Sequence, residues 1–171
     1  MLITIIIFSI ILLLLLFVLV SNFTSLFFGA PYLKSDEGII SKALKRAKLK
    51  PGEILYDLGC GNGEVLLVAE KFGAKAIGFE ISPFYFLWAK WRTYRHRNIK
   101  ARYQNINSAD LSKADVIYCY LMPSILRRLA TKFQKELKKT ARLISIDFQI
   151  KNMRLADKLK VKNHTIYIYR S

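Results

Sequence analysis

The chain has 171 residues, enough for one domain of ordinary size and little besides. Its 28 Lys and Arg stand against 12 Asp and Glu, a formal charge of +16 at pH 7, so the partners to weigh are polyanions: an anionic lipid surface or nucleic acid. Two cysteines and two histidines, far apart in sequence, argue against a disulfide framework or a metal centre.

The first element is apolar throughout. Residues 2–20, "LITIIIFSIILLLLLFVLV", carry no charge and only two hydroxyls, Thr4 and Ser9. At 1.5 Å per residue such a run covers the roughly 30 Å hydrocarbon core of a bilayer. The expectation is a transmembrane anchor over 1–28 followed by a domain over 29–171. A cleaved signal peptide fits less well, because no basic segment precedes the run and no small-residue cleavage site follows it. A packed core helix would show a polar face, which is missing here. Every charged side chain follows this segment, beginning at Lys34, and Lys42, Lys45, Arg46, Lys48 and Lys50 crowd its C-terminal side. By the positive-inside rule the domain faces the cytoplasm and the N-terminus lies outside. For a tethered domain, anionic lipid is the simplest partner for the charge.

Residues 36–49 place Ile39, Ile40, Ala43, Leu44 and Ala47 on one helical face, with Ser35 or Asp36 as the cap and Pro51-Gly52 as the stop. Strands and helices then alternate. Strands are expected over 53–58, 75–81, 99–106, 114–121 and 142–150. Helices are expected over 64–72, from Pro83 through "PFYFLWAKWRTYRHR", and over 124–137. Residues 155–170 alternate about Lys162-Asn163 as a closing hairpin. This order implies an α/β fold, doubly wound, with a mostly parallel sheet and an antiparallel hairpin at one edge. In such sheets ligands bind beyond the carboxyl ends of the strands.

At the end of the first strand stands "LYDLGCGNGEV", with Gly59, Gly61 and Gly63 alternating. Dinucleotide binding wants G-x-G-x-x-G and a phosphate loop wants Gly-Lys-Ser or Gly-Lys-Thr; neither is present. Carboxylates flank the turn instead, Asp57 and Glu64, which suits a cationic ligand. Glu80 closes the second strand, where an acid accepts bonds from ribose hydroxyls.

These residues resemble the S-adenosylmethionine site of the class I methyltransferases, "DLGCGNG" their first motif and "GFEIS" their second. The resemblance implies a Rossmann-like fold and S-adenosyl-L-methionine as cofactor. It implies that Asp57 orients the turn and the methionine part, that Gly59, Cys60 and Gly61 bring backbone to the cofactor, and that Glu80 holds the ribose. The segments "PYLKSDEGIISKALKRAKLKPGEILYDLGCGNGE", "GFEISPFYFLWAKWR", "ADVIYCYLMP" and "KELKKTARLISIDF" are similar to the small membrane-anchored protein-lysine methyltransferases. That family includes the enzymes acting on the c-ring protein of ATP synthase and on the adenine nucleotide translocase. In its pattern Tyr32 and Ser35 line the cofactor pocket. Where it shows an acid, an aromatic and a lysine after the third strand, this chain has "NINS", Asn105 to Ser108, and Asn105 is the expected partner of the adenine amino group. Lys139-Thr140 replaces the usual Pro-Gly before the fifth strand.

The implied reaction methylates a lysine of a membrane or membrane-adjacent protein. In-line displacement at a sulfonium needs alignment and exclusion of water rather than a nucleophilic side chain. Tyr120 and Pro123, with Leu121 and Met122, are the expected acceptor mouth, and Tyr120 also reads as ordinary core. Two other functions stand beside this one: a cofactor-binding or scaffold protein without activity, and a methyltransferase for lipid or small molecules. "WAKWRTYRHR" mixes aromatics with base as RNA-binding segments do, but Phe84, Leu87, Trp88 and Trp91 at helical spacing read as a buried face, which disfavours nucleic acid. His96 and His164 read as surface residues.

Overall fold

The computed structural model describes residues 1–27 and 36–170, with side chains for 1–21 and 36–170. Tyr32 and Ser35 lie outside the described residues. The first helix, α1 (Leu2–Phe27), contains an apolar window at Leu2–Ser21 of mean hydropathy 3.5, which the rest of the protein leaves exposed up to Val20. It is long and apolar enough to cross a membrane.

In α2 (Glu37–Arg46) the cap is Asp36, whose carboxylate accepts the Gly38 N–H at 2.7 Å. Its face of Ile39, Ile40, Ala43 and Leu44 is buried as the spacing requires. There follow β1 (Ile54–Leu58), α3 (Glu64–Lys71), β2 (Lys75–Glu80), α4 (Pro83–Arg92), β3 (Ile99–Tyr103), β4 (Val116–Cys119), α5 (Pro123–Glu136), β5 (Arg142–Ile146), β6 (Leu155–Val161) and β7 (His164–Arg170). One sheet of seven strands runs β3-β2-β1-β4-β5-β7-β6. The first five strands pair parallel, and β7 is antiparallel to both β5 and β6. Strand order reverses between β1 and β4, which opens a crevice at their carboxyl ends.

Alternation along each strand feeds two cores. Leu55, Val116 and Tyr118 face α2 and α3, whereas Tyr56, Leu58, Ile117 and Cys119 face α5. The inner face of α5 is Ile125, Leu126, Leu129 and Phe133. Beneath the sheet Arg142 donates to the carbonyls of Ala47 and Lys48 and to Glu53, tying α2 to the entry of β1.

Several elements end earlier than their apolar runs. Strand β5 stops at Ile146 because Asp147 takes a left-handed φ of 63°, which no strand accommodates. Strand β3 stops at Tyr103, and Asn105 caps a single 3-10 turn at Ile106–Ser108. Helix α4 ends at Arg92, where the Thr93 hydroxyl donates to the Ala89 carbonyl at 2.7 Å.

Helix α4 also corrects the expected buried face. Leu87, Trp88 and Trp91 are 52%, 42% and 71% exposed, and Phe84 is only partly covered. The inward residue is Ala89, fully buried. A Cβ built on Gly63 would lie 3.4 Å from the Ala89 Cβ and 3.5 Å from the Thr93 methyl. The helix thus rests on the glycine turn, where only small side chains fit, and its bulky residues turn outward. Arg92 fixes this rotation through the Asn62 carbonyl at 3.1 Å and Glu64 at 2.8 Å.

Candidate active site

The turn after β1 places Gly59, Gly61 and Gly63 at φ of 86°, 52° and 80°, a conformation glycine adopts without a Cβ penalty. Five of its amide groups are already occupied. Gly59 and Cys60 both donate to the Phe79 carbonyl, Gly61 to Glu80 Oε2, Gly63 to the Cys60 carbonyl and Glu64 to Asn62 Oδ1. A phosphate cradle needs converging free N–H groups, and in this turn those donors are spent inside the protein.

Two carboxylates stand at the turn. Asp57, in β1, is 2% exposed, and Glu80, at the end of β2, is 8% exposed. Glu80 Oε1 accepts the N–H groups of Ile81 at 2.9 Å and Ser82 at 2.8 Å, while Oε2 takes Gly61 at 2.8 Å. Burial, and then the neighbouring Glu80 charge, push the Asp57 carboxyl well above the usual range. Burial also raises Glu80, against the pull of its three backbone donors. Among the described residues no cation pairs with either acid. Buried acceptors without countercharge suit a ligand that brings hydroxyls and positive charge. A nucleoside sulfonium has both and no phosphate, so these residues fit S-adenosylmethionine.

Cys60 points away from the crevice. It is buried in the core under β2, and a Cβ on Gly78 would meet its Cβ and Sγ at 2.6 Å each. Burial, then Asp57 and Glu80, push its thiol well above the usual range, so it is an inert packing group whose backbone alone borders the turn. Leu121 is buried beneath the turn, its Cδ2 3.4 Å from a Cβ built on Gly59. Asn105 lies beyond β3 with its Oδ1 accepting the Asn107 N–H at 2.9 Å, which leaves one lone pair on that oxygen.

Tyr120 follows β4, and its phenol donates to Asp147 Oδ2 at 2.7 Å. His164 Nδ1 lies 2.7 Å from the same oxygen, and the Thr165 N–H donates to Oδ1 at 2.8 Å. Burial and the accepting carboxylate push the phenol up to about 12. Burial would raise Asp147, but the bonds from Thr165, Tyr120 and His164 outweigh it and hold the carboxyl below its usual range. Pro123 is the first residue of α5, exposed beside Met122. The sequence did not single out Asp147, and it placed His164 at the surface without a role. The available signal was position, since Asp147 follows the fifth strand on the edge where the fourth delivers Tyr120. His96, also read as a surface residue, pairs with Glu70.

The sequence model of the ANTKMT methyltransferase domain matches residues 57–157, from the first acid of the turn to the closing hairpin. A protein-lysine N-methyltransferase of Saccharolobus islandicus is 32% identical over 151 residues, which cover 81% of this chain and 92% of that protein. The adenine nucleotide translocase lysine N-methyltransferase of Mus musculus is 27% identical across 70% of this chain, which spans 54% of its length. An RNA methyltransferase of Salinibacter ruber, solved with S-adenosyl-L-homocysteine, shares the fold with a TM-score of 0.77, 24% identity and coverage of 81% and 93% of the two chains. The turn, its paired acids and these likenesses converge: the chain belongs to the ANTKMT methyltransferase domain family, a family of S-adenosylmethionine-dependent protein-lysine methyltransferases.

Proposed function

We propose that this protein methylates the ε-amine of a lysine in a membrane or membrane-adjacent protein, held to the bilayer by an anchor over 1–28 with the domain of 29–171 on the cytoplasmic, anionic face. The observation that carries the reading is the buried pair Asp57 and Glu80 beside a glycine turn whose three glycine amides are already bonded. Asp57 balances the positive charge of the methionine part, Glu80 accepts from the ribose hydroxyls, and Gly59, Cys60 and Gly61 give backbone access. Asn105 accepts the adenine amino group through its remaining lone pair. Tyr32 and Ser35, outside the described residues, complete the pocket in this reading.

The bound cofactor supplies an electrophilic methyl carbon. With that group held by Asp57, Glu80 and the glycine turn, the chain's own task would be to hold a neutral lysine amine in line with the methyl and away from water. At a reference pKa near 10.4, neutralising lysine at pH 7 costs about 4–5 kcal/mol. An apolar mouth of Met122 and Pro123, floored by the buried Leu121, disfavours the ammonium and lowers that cost. Tyr120, held by Asp147, presents its ring to the positive charge that develops on the nitrogen during transfer.

The test is labelled S-adenosylmethionine added to membranes that carry the wild-type or the Glu80→Ala chain, followed by separate extraction of protein and lipid. Label in protein lysine, lost with Glu80→Ala, supports the reading. Equal labelling in the two membranes, or label in the lipid fraction alone, contradicts it.

A further inference from the structure

The outward face of α4 is unexplained by the methyl-donor site. Leu87, Trp88 and Trp91 recur at helical spacing, and Tyr94, 67% exposed, continues the stripe past the helix end. A soluble surface rarely gathers two tryptophans in the open. Phe84 and Tyr85 extend the patch toward the membrane helix, packing against Trp88 with centroid distances of 5.6 and 6.5 Å. Along the sequence of this face the charge has one sign, with Arg92 and His96 paired to Glu64 and Glu70 of α3. From Ile81 to Ala109 there is no Asp or Glu, while Lys90, Arg92, Arg95, Arg97, Lys100 and Arg102 fall within that stretch.

The patch is continuous with the anchor. Ser21, at the end of the apolar window of α1, is buried against the start of α4, its hydroxyl 2.7 Å from Ser82 Oγ and accepting the Phe84 N–H at 3.0 Å. If α1 spans the bilayer, α4 therefore begins at the level where the span ends. Indole and phenol rings partition to that level, and Lys and Arg beside them attract anionic headgroups.

We propose that this aromatic face of α4 lies in the headgroup region of an anionic bilayer as a second contact beyond the anchor, and that it sets the domain's orientation with the Glu80 crevice facing the membrane surface. The inference rests on the anchored reading above. An aromatic face inserted alongside the span would restrain the domain from rolling about it.

Trp88 and Trp91 are the chain's two tryptophans, so native fluorescence reports on this face alone. The full chain is reconstituted into vesicles of phosphatidylcholine with phosphatidylglycerol, with and without bromolipid. Most of the emission is expected to be lost to bromolipid and little to acrylamide. The double variant Lys90→Glu/Arg95→Glu should restore acrylamide access while the chain still floats with the vesicles. Floating vesicles whose tryptophans stay open to acrylamide and untouched by bromolipid overturn the proposal and make the face a protein-binding surface. Quenching no stronger than in phosphatidylcholine alone overturns the assignment to anionic lipid. A chain that fails to float overturns the anchor and this contact together. Calorimetry with S-adenosylmethionine on the same samples reads the methyl-donor site separately, and the double variant should bind as the wild type does.

Discussion

Tyr120 and His164 meet on one oxygen of Asp147, each at 2.7 Å, although one follows β4 and the other opens β7, on either side of β5. The carboxylate reaches both because Asp147 leaves β5 in a left-handed conformation and turns back toward the start of β7. The phenol at the proposed acceptor mouth is thereby held in one rotamer. Asp147→Gly keeps the backbone conformation and removes the carboxylate. Its kcat on a lysine substrate should fall by about tenfold to a hundredfold with cofactor affinity unchanged, as expected when a positioning contact near the reacting groups is lost. Single-turnover rates and calorimetry check the two halves; a loss confined to cofactor binding would contradict the placement.

Glu80 offers a sharper separation. Its oxygens satisfy three backbone donors, so Glu80→Gln sets an amide N–H₂ against an N–H and also removes the charge. A hydrogen bond to a charged group contributes about 1.5–3 kcal/mol, so S-adenosylmethionine should bind about ten to a hundred times more weakly. Titration calorimetry measures this directly, with thermal unfolding as the control for the turn.

The raised acids predict a pH dependence of binding. Asp57 and Glu80 titrate above the usual carboxyl range in the free protein, mainly through burial. A cationic ligand favours their ionised forms and lowers both pKa values, so protons leave on binding. Affinity should therefore climb with pH through the raised free-state pKa values and level off above them. Calorimetry in two buffers of different ionisation enthalpy should show proton release in that window and none well above it.

Asp147 works in the opposite sense for the fold. Its folded pKa is depressed, so the stability it contributes is present above its unfolded pKa and is lost as pH falls through the folded value. The acid limb of a pH–stability curve should be shallower for Asp147→Asn than for wild type, with the difference confined to the carboxyl range.

Gly78 carries a packing prediction. A methyl there would sit 2.6 Å from both Cβ and Sγ of Cys60 and 2.8 Å from Leu66 Cδ1. Gly78→Ala should cost about 1–3 kcal/mol in urea unfolding, as over-packed cores do, and should weaken cofactor binding because the displaced Cys60 belongs to the turn.

How much of this was legible depended on the range of the forces involved. The parallel strands could be read because Leu55, Tyr56, Ile117 and Tyr118 belong to apolar runs buried on both faces. The turn and Glu80 could be read because glycine spacing and a strand-end acid are local signals. The rotation of α4 could not, since it depends on Ala89 finding Gly63, a contact across 26 positions of sequence that periodicity does not encode. The early end of β5 was hidden for a similar reason: Asp147 is drawn out of the strand by Thr165, Tyr120 and His164.

The link between the proposed membrane helix and the proposed nucleoside site is short. Ser21 bonds to Ser82, and Ser82 lies two residues beyond Glu80, a backbone reach of about 7 Å. With α1 spanning a bilayer as proposed, the donor methyl would have a fixed, small height above the plane where the span emerges, and the bilayer would work as a ruler for acceptors. Lysines on short loops hugging the headgroups come within range, and those carried on tall extramembrane domains stay out of it whatever sequence surrounds them.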